Sequence, residues 1–254
     1  MRSSTRNDSR HSNIHIIRNR IMIFRYAIAA ALITGAAFPA FSAEKPVESL
    51  DTLTIERAFT EMPLRSLDLL TRSSRLDMLD YLKADSLVTV ANTMGGESRI
   101  EKAGKDYLKI RLTPVSTLEI ALLPYRDPKS PKIAMAIYTI GSEEEAPDSD
   151  IAFYDTEMKP IDRKHLFRQP DLKEFFSFPK GATTSMKEIE EMIPFPAASY
   201  SLVPSSTSTA DSGSFTLTGK LTVNSVMAQE ERHLIELFMR PELNWTWNGR
   251  EWKK

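Results

Sequence analysis

Cysteine is entirely missing from the 254 residues, which excludes disulfides, thiolate nucleophiles and thiolate metal ligands. A lipid anchor on a Cys at the start of the mature chain is excluded for the same reason. Histidine is also rare, and only His165 and His233 lie beyond residue 42. Glycine is sparse, and there is no Gly-rich loop of the kind that cradles a phosphate. The sequence therefore predicts no cofactor and no metal site.

Familiar catalytic motifs are missing as well. Beyond residue 42, neither His-x-x-x-His nor Gly-x-Ser-x-Gly occurs, so zinc hydrolysis and a serine nucleophile elbow are both disfavoured. A glycosidase stays open as an alternative, because it needs only two carboxylates whose separation is a property of the fold. We therefore expect a non-enzymatic protein with a binding or structural role.

The first 42 residues have the pattern of a secretory signal peptide. Three arginines precede an apolar run over residues 26–38, and Ala40-Phe41-Ser42 then suits cleavage before Ala43. Met22 would open a well-proportioned leader by itself and is an alternative start. The apolar run is shorter than the ~20 residues that a membrane-spanning helix needs. We expect an exported protein of the periplasm or cell envelope that is soluble after processing, neither membrane-spanning nor lipid-anchored.

The charge balance changes when this leader is removed. The whole chain has 33 basic and 34 acidic residues, of which residues 1–42 hold six Arg and one Asp, leaving 27 basic against 33 acidic. This excess of negative charge argues against a nucleic-acid or anionic-membrane partner. The remaining residues are enough for one large domain or two closely packed lobes. We divide them into residues 43–168 and a second, smaller lobe over residues 169–254, packed together as one unit.

The densest apolar pattern lies between Leu64 and Leu82. Leucine and methionine recur there at helical spacing on either side of a polar break, which predicts two short helices. Ser74 and Asp77 fit a capping box, so the second helix is expected to begin just after Ser74. Asp77 and Asp80 share a helix edge and could act as a carboxylate pair. The plainer interpretation is that one caps the helix and the other is solvated.

Beyond this helical stretch the apolar period changes to two. Strands are predicted near residues 88–90, 108–112, 118–122 and 151–155, with Lys109, Arg111 and Glu119 among the alternating polar residues. The strand Lys132–Ile140 is apolar on both faces, which predicts a central position with the Leu64–Leu82 helices on one side. The turn residues between the strands favour an antiparallel meander. The fold class is therefore α+β: an antiparallel meander packed by N-terminal helices, with a second smaller α+β lobe.

An acidic loop follows that central strand. It contains Glu143, Glu144, Glu145, Asp148 and Asp150. Calcium loops need regularly spaced acids, a turn glycine and a distal Glu, and this arrangement is missing here. We therefore interpret the loop as a solvated hairpin tip.

The second lobe is predicted to mix helices and strands. Ser185 and Glu188 form a capping-box pattern ahead of a short helix, and residues 215–223 alternate cleanly as a strand. The other expected elements are a helical segment at 170–176, a strand at Tyr200 and Leu202, and a last helix from Val226 to Arg240. The core face of that last helix is predicted to consist of Met227, Leu234, Leu237 and Phe238.

Three tryptophans near the end of the chain are the best candidate ligand-binding residues. Trp245 and Trp247 lie two apart on one face of a predicted strand, and Trp252 follows an Asn-Gly turn. Exposed indoles can stack on sugar rings, which would make these residues a glycan-binding face. The alternative is that the indoles are buried and hold the last strand to the sheet. The expected partner is thus an envelope protein or a glycan.

Several short segments together resemble an uncharacterised domain-of-unknown-function family of secreted proteins in Bacteroidales. The segments are Met62-Pro63, Leu69-Leu70-Thr71, Arg75-Leu76-Asp77-Met78-Leu79-Asp80, Phe153-Tyr154-Asp155-Thr156 and Trp247-Asn248-Gly249-Arg250. The resemblance spans residues 50–254 and implies an exported α+β protein. The family brings no activity with it, so it implies no functional residues.

Overall fold

The computed structural model describes residues 53–86, 88–141, 146–193, 195–204, 214–223 and 227–254. These residues all belong to one compact unit, Pro46–Lys254. The predicted leader and the glutamates Glu143, Glu144 and Glu145 of the acidic loop lie outside the described residues.

Seven strands in the described part of the chain form one antiparallel sheet in which sequence neighbours are spatial neighbours. They are β1 (Val90–Ala91), β2 (Glu97–Gly104), β3 (Tyr107–Thr113), β4 (Ser116–Asp127), β5 (Ser130–Ile140), β6 (Asp148–Tyr154) and β7 (Pro160–Ile161). The predicted meander is therefore confirmed. Strand β2, in which only Ser98 and Ile100 are buried, is not predicted from the sequence.

A second antiparallel sheet follows with the order β11-β10-β9-β8. Its strands are β8 (Ala197–Pro204), β9 (Phe215–Thr222), β10 (Leu243–Trp247) and β11 (Trp252–Lys253). The apolar alternation of β9 puts Phe215, Leu217 and Leu221 in the core. Gly219 lies in the same row, under the rings of Tyr200 and Trp245.

Four α-helices occur in the described ranges, together with three short 3-10 helices. The α-helices are α1 (Ile55–Glu61), α2 (Arg72–Lys83), α3 (Met186–Met192) and α4 (Gln229–Phe238), and the 3-10 helices are Arg65–Leu69, Arg163–His165 and Leu172–Phe175. The capping box of Ser185 and Glu188 at α3 is present as predicted. The predicted helices near residues 64–70 and 170–176 are 3-10 turns instead.

Two details of the predicted helices are wrong. Helix α2 begins at Arg72 rather than after Ser74, because the Thr71 hydroxyl accepts from the Ser74 N–H at 3.0 Å and caps the first turn. Leu237, predicted to face the core, is 63% exposed, while Ile235 of the same helix is completely buried. The helix is shorter than expected, and packing rather than the apolar pattern alone sets which face is buried.

Strand β5 is central, as predicted, and separates two hydrophobic cores. Ala134 and Ala136 pack on one side with the buried residues of α1 and α2. Ile133, Met135 and Ile137 pack on the other side with the second sheet, α3 and α4. The helices from the Leu64–Leu82 stretch therefore cover one face of the meander, and the second sheet covers part of the other face.

Candidate functional site

The second sheet covers only part of the face that it shares with the meander. On that face β4 and β5 are apolar under the second sheet, as at Ala121, Leu123 and Met135. Toward the uncovered part the same face is polar, with Lys109 and Arg111 of β3 charged and half-buried. A groove of about 470 Å³ opens where the covering ends. Its wall on the meander side includes Lys109, Arg111, Ser116, Thr117, Glu119 and Thr139, and its wall on the second sheet includes Ser199, Ser201 and Lys220. We call this the inter-sheet groove.

Glu119 lies at the base of the groove and is only 5% exposed. Its Oε2 accepts from the Tyr107 hydroxyl and from the Leu202 backbone N–H, both at 3.0 Å. Its Oε1 lies 3.4 Å from the Lys109 ammonium. Both oxygens of the carboxylate therefore have partners, as a buried charge requires. This arrangement makes Glu119 a link between the two sheets.

The hydroxyl of Tyr107 is kept neutral by its surroundings. Burial raises the pKa of Tyr107, and the negative charge and hydrogen bond of Glu119 raise it further. A phenol in this state donates a hydrogen bond and does not act as a base. Tyr107 and Glu119 thus form a structural pair rather than an acid/base pair.

Strand β8 is the long edge strand of the second sheet, and side chains of the meander cover its edge. The N–H groups of Ala198, Tyr200 and Leu202 donate to Asp148 Oδ1 at 3.4 Å, Ser149 Oγ at 3.0 Å and Glu119 Oε2 at 3.0 Å. These are alternate residues, so they are the N–H groups that point away from β9. The edge is therefore closed to a further strand, as sheet proteins require of their exposed edges.

The cations of the groove come from both walls. On the meander side, Arg111 Nε donates to Glu101 Oε1 and its Nη1 donates to the Pro114 carbonyl. Partial burial alone would raise the pKa of Glu101, but the hydrogen bond and charge of Arg111 lower it overall. On the opposite wall, the exposed Lys220 pairs in register with Ser199. Arg111 is therefore oriented by its neighbours before any ligand arrives.

The predicted site tryptophans do not line this groove. Trp245 and Trp252 are 5% and 4% exposed, and both belong to the core between the sheets. Trp247 is half-buried, and its Nε1 donates to the Pro124 carbonyl at 2.6 Å. The ring of Trp247 packs on that of Trp252 with centroids 5.6 Å apart. The structure thus brings the three indoles to one end of the second sheet, with two of them mostly enclosed.

Trp245 and Trp252 also line a smaller cavity of about 230 Å³, which we call the C-terminal pocket. Glu174 lies beside them and accepts from Lys254 at 2.7 Å and from Arg168 at 2.9 Å. Burial opposes ionisation of Glu174, but these cations and the Asp171 N–H hold its pKa at about 2. The pocket therefore combines aromatic walls with a charged rim.

The other acidic candidates are solvated or used in local contacts. Asp77 and Asp80 are exposed, and Asp80 lies 3.5 Å from Lys83. Asp150 pairs with Arg163 at 3.2 Å. No cluster of three or more metal-ligating side chains occurs among the residues that the structure describes. The described carboxylates of both acidic candidates are therefore exposed or paired with cations.

The inter-sheet groove is not predictable from the sequence, because it is assembled from strands distant in the chain. In the sequence, Lys109, Arg111 and Glu119 are only the polar residues that alternate with apolar ones in half-buried strands. Their signal was polar alternation on one face, which marks any solvated strand. Without the position of β8 and β9, nothing distinguishes a wall of a groove from an open surface.

Comparison with known proteins agrees with this fold. The model of a family described as "Protein of unknown function (DUF3256)" matches residues 47–252. The chain is similar to a solved domain of an uncharacterised protein from Porphyromonas gingivalis W83, with 23% identity and a TM-score of 0.61 over 78% of this chain and 96% of that one. No curated protein matches it.

Within the described part of the chain, no helix has the length and apolar character to cross a membrane. The resemblance to an uncharacterised Bacteroidales family is confirmed.

Proposed function

The chain belongs to the DUF3256 family of proteins of unknown function, and we propose that it is an exported, non-enzymatic binding protein whose ligand occupies the inter-sheet groove. The observation that carries this proposal is the groove itself. Two sheets supply its opposite walls, and polar side chains from both walls line it. Its volume of about 470 Å³ is that of a typical small-ligand site.

The state of the polar groups supports binding rather than catalysis. Glu119 has partners on both oxygens, and the phenol of Tyr107 is held neutral. A general acid or base needs a pKa near the working pH and access to substrate. The two histidines beyond residue 42, His165 and His233, are exposed and do not line the groove.

The sheet edges support a groove ligand over an added strand. Strands β1, β7 and β11 have two residues each, which is too short a template for pairing. The edge of β8 is covered by Asp148, Ser149 and Glu119. A partner that binds by strand addition needs a free edge, and the described strands offer none of useful length.

The export part of the proposal rests on the leader pattern of residues 1–42. The full chain, expressed with a C-terminal tag in a Gram-negative host, should be recovered from the periplasm or envelope with Ala43 as its N-terminus. Mass spectrometry of the intact protein measures this. An N-terminus at residue 1 or residue 22 in the envelope fraction would refute processing.

A bulky side chain that fills the groove tests whether the ligand binds there. Ser201→Trp puts an indole on the groove wall, and Thr246→Trp puts one on an exposed position of β10 that does not line the groove. Calorimetric titration of both variants and the unsubstituted protein with trigalacturonate, maltotriose and triglutamate compares their affinities. At least one probe should bind and lose affinity only in Ser201→Trp. Equal affinity in both variants, or no binding by any probe, would overturn the proposal.

A second candidate function is glycan binding or processing through the C-terminal tryptophans, favoured by the fact that Trp245 and Trp252 line one pocket. If a sugar stacks there, maltotriose should change the tryptophan emission and protect it from acrylamide. Substitution of Trp252 by Phe keeps an aromatic wall and should weaken this effect, while Ser201→Trp should leave the affinity unchanged. Emission that maltotriose does not alter would exclude this candidate.

A further inference from the structure

We infer that the inter-sheet groove recognises an acidic oligosaccharide, whose anionic groups are held between cations of the two sheets. This inference rests on the proposed function and names its ligand class. Among the described residues that line the groove, Lys109, Arg111 and Lys220 are basic and Glu119 is acidic. A second carboxylate, that of Glu101, pairs with Arg111 from outside the lining. The described cations of the groove therefore outnumber the carboxylates that contact them by three to two, although the chain beyond residue 42 has more acidic than basic residues.

Two carboxylates offset part of this positive charge: Glu119 lies 3.4 Å from Lys109, and Glu101 accepts a hydrogen bond from Arg111. Glu119 is buried at the base, where it holds Tyr107 and the Leu202 N–H as well as facing Lys109. A cleft with protein on both sides focuses the field of its charges and raises the local concentration of oppositely charged ligands. The cation that no described carboxylate offsets is Lys220, and Arg111 keeps N–H donors beyond the one that Glu101 uses.

Arg111 is the better oriented of the cations. Its Nε and Nη1 are engaged by Glu101 and by the Pro114 carbonyl, while within the described residues its Nη2 has no hydrogen-bond partner. A guanidinium has five N–H donors in a planar fork, so donors remain for a carboxylate or sulfate. Because the side chain is already held in place, binding costs less conformational entropy.

Lys220 supplies the charge on the opposite wall. It is exposed, and no described carboxylate forms an ion pair with it. It comes from β9, whereas Arg111 comes from β3, so a ligand that contacts both lies across the boundary between the sheets. Such a ligand is held by both sheets, whereas a ligand on an isolated surface lysine contacts only one.

Hydroxyl groups on both walls favour a saccharide over a peptide. Thr117 lies on the meander side, and Ser199 and Ser201 lie on the other side, all three half-buried. Ser116 and Thr139 also line the groove, but their hydroxyls are already hydrogen-bonded within the meander. Such groups both donate and accept, which suits the hydroxyls of a sugar. An extended peptide would be recognised through its backbone at a sheet edge, and the β8 edge is already covered.

Calorimetry with trigalacturonate, maltotriose and triglutamate at low salt tests the ligand class. The variants are Lys220→Gln and Arg111→Gln, with Lys105→Gln as the control, since Lys105 is an exposed lysine of the β2–β3 turn that does not line the groove. We expect trigalacturonate to bind best and each groove variant to weaken it by about fivefold or more. The control should stay within about twofold, and added salt should weaken binding steeply.

Three results would overturn the inference, and they are distinguishable from failure of the proposed function. Tighter binding of triglutamate would make the ligand an acidic peptide, and maltotriose bound as tightly as trigalacturonate would remove the role of charge. In both cases loss of binding in Ser201→Trp would keep the groove as the site. Unchanged trigalacturonate affinity in Lys220→Gln would also refute the inference. Because Lys220 is exposed, Lys220→Gln should fold even if Arg111→Gln is destabilised by loss of the Arg111–Glu101 contact.

Discussion

The Glu119 carboxylate accepts a hydrogen bond at 3.0 Å from the backbone N–H of Leu202, 83 residues further along the chain. The same oxygen accepts from the Tyr107 hydroxyl. One buried side chain of the meander thus holds both a neighbouring strand and the edge of the second sheet. Since this contact also forms the base of the inter-sheet groove, the stability of the sheet junction and the shape of the candidate site are coupled.

Glu119→Ala should destabilise the protein strongly. It leaves the Tyr107 hydroxyl and the Leu202 N–H without their acceptor. Each buried unsatisfied group costs about 1–3 kcal/mol, so we expect a loss of about 2–6 kcal/mol. Tyr107→Phe removes only one donor and should cost about 1–2 kcal/mol. Urea unfolding measures both. Equal small losses would mean that the sheet junction does not depend on this carboxylate.

Gly219→Ala should be destabilising for steric reasons. A Cβ at this position would lie 2.8 Å from Tyr200 Cε1 and 2.9 Å from Trp245 Cζ3, two rings packed in the core. Such overpacking typically costs about 1–3 kcal/mol. Gly104→Ala is the matched control, because its Cβ would meet nothing closer than 4.0 Å. Thermal unfolding compares the two, and a Gly219→Ala variant as stable as the control would contradict this packing.

The low pKa of Glu174 should make the free energy of unfolding depend on pH in the acid range. Its folded pKa of about 2 lies below the value of about 4.3 expected in the unfolded chain. The carboxylate therefore stabilises the fold above about pH 4.3, and this contribution is lost as the pH falls toward 2. Glu174→Gln should be less stable at pH 7, by about 1 kcal/mol for these partly exposed ion pairs.

The difference between Glu174→Gln and the unsubstituted protein should shrink between pH 5 and pH 2, and urea unfolding at several pH values follows it. Lys187→Gln, which removes an exposed partner of Glu191 on α3, serves as the control. A difference that does not change with pH would show that the carboxylate charge is not what stabilises this region.

The burial of α2 against the meander predicts which of its residues stabilise the fold. Met78 and Leu79 of α2 are buried, at 3% and 4% exposure, whereas Asp80 is exposed. Met78→Ala and Leu79→Ala should each cost about 2–5 kcal/mol, while Asp80→Ala should stay within about 0.5 kcal/mol. Denaturant unfolding of the three variants measures this. Small, equal losses would mean that α2 does not cover the meander.

Much of the fold could be predicted because its signals are local. The alternation in β3, β4 and β9 follows directly from the two-residue period of a strand with one buried face. The capping box of Ser185 and Glu188 involves groups three residues apart, so it needs no tertiary information. Strand β5 was recognised as central because both of its faces are apolar.

Two predictions from the sequence differ from the structure: the first residue of α2, and strand β2. Thr71 and Ser74 are both good N-caps, and the structure uses Thr71, which starts α2 one turn earlier. Strand β2 carries charged residues along much of its length. Its sequence therefore lacks the apolar alternation from which a strand is predicted. Its backbone pairs with β3 even so, because ladder hydrogen bonds do not depend on side-chain polarity.

The sequence by itself determined the α+β class, the order of the meander strands and the positions of most helices, because hydrophobic period and capping act over a few residues. Only the tertiary structure decided that Glu119 meets Leu202, that Lys220 and Arg111 line one groove, and that two tryptophans are enclosed. These relationships join residues far apart in the chain, and they depend on how two sheets exclude water from a shared face. No local pattern specifies that outcome.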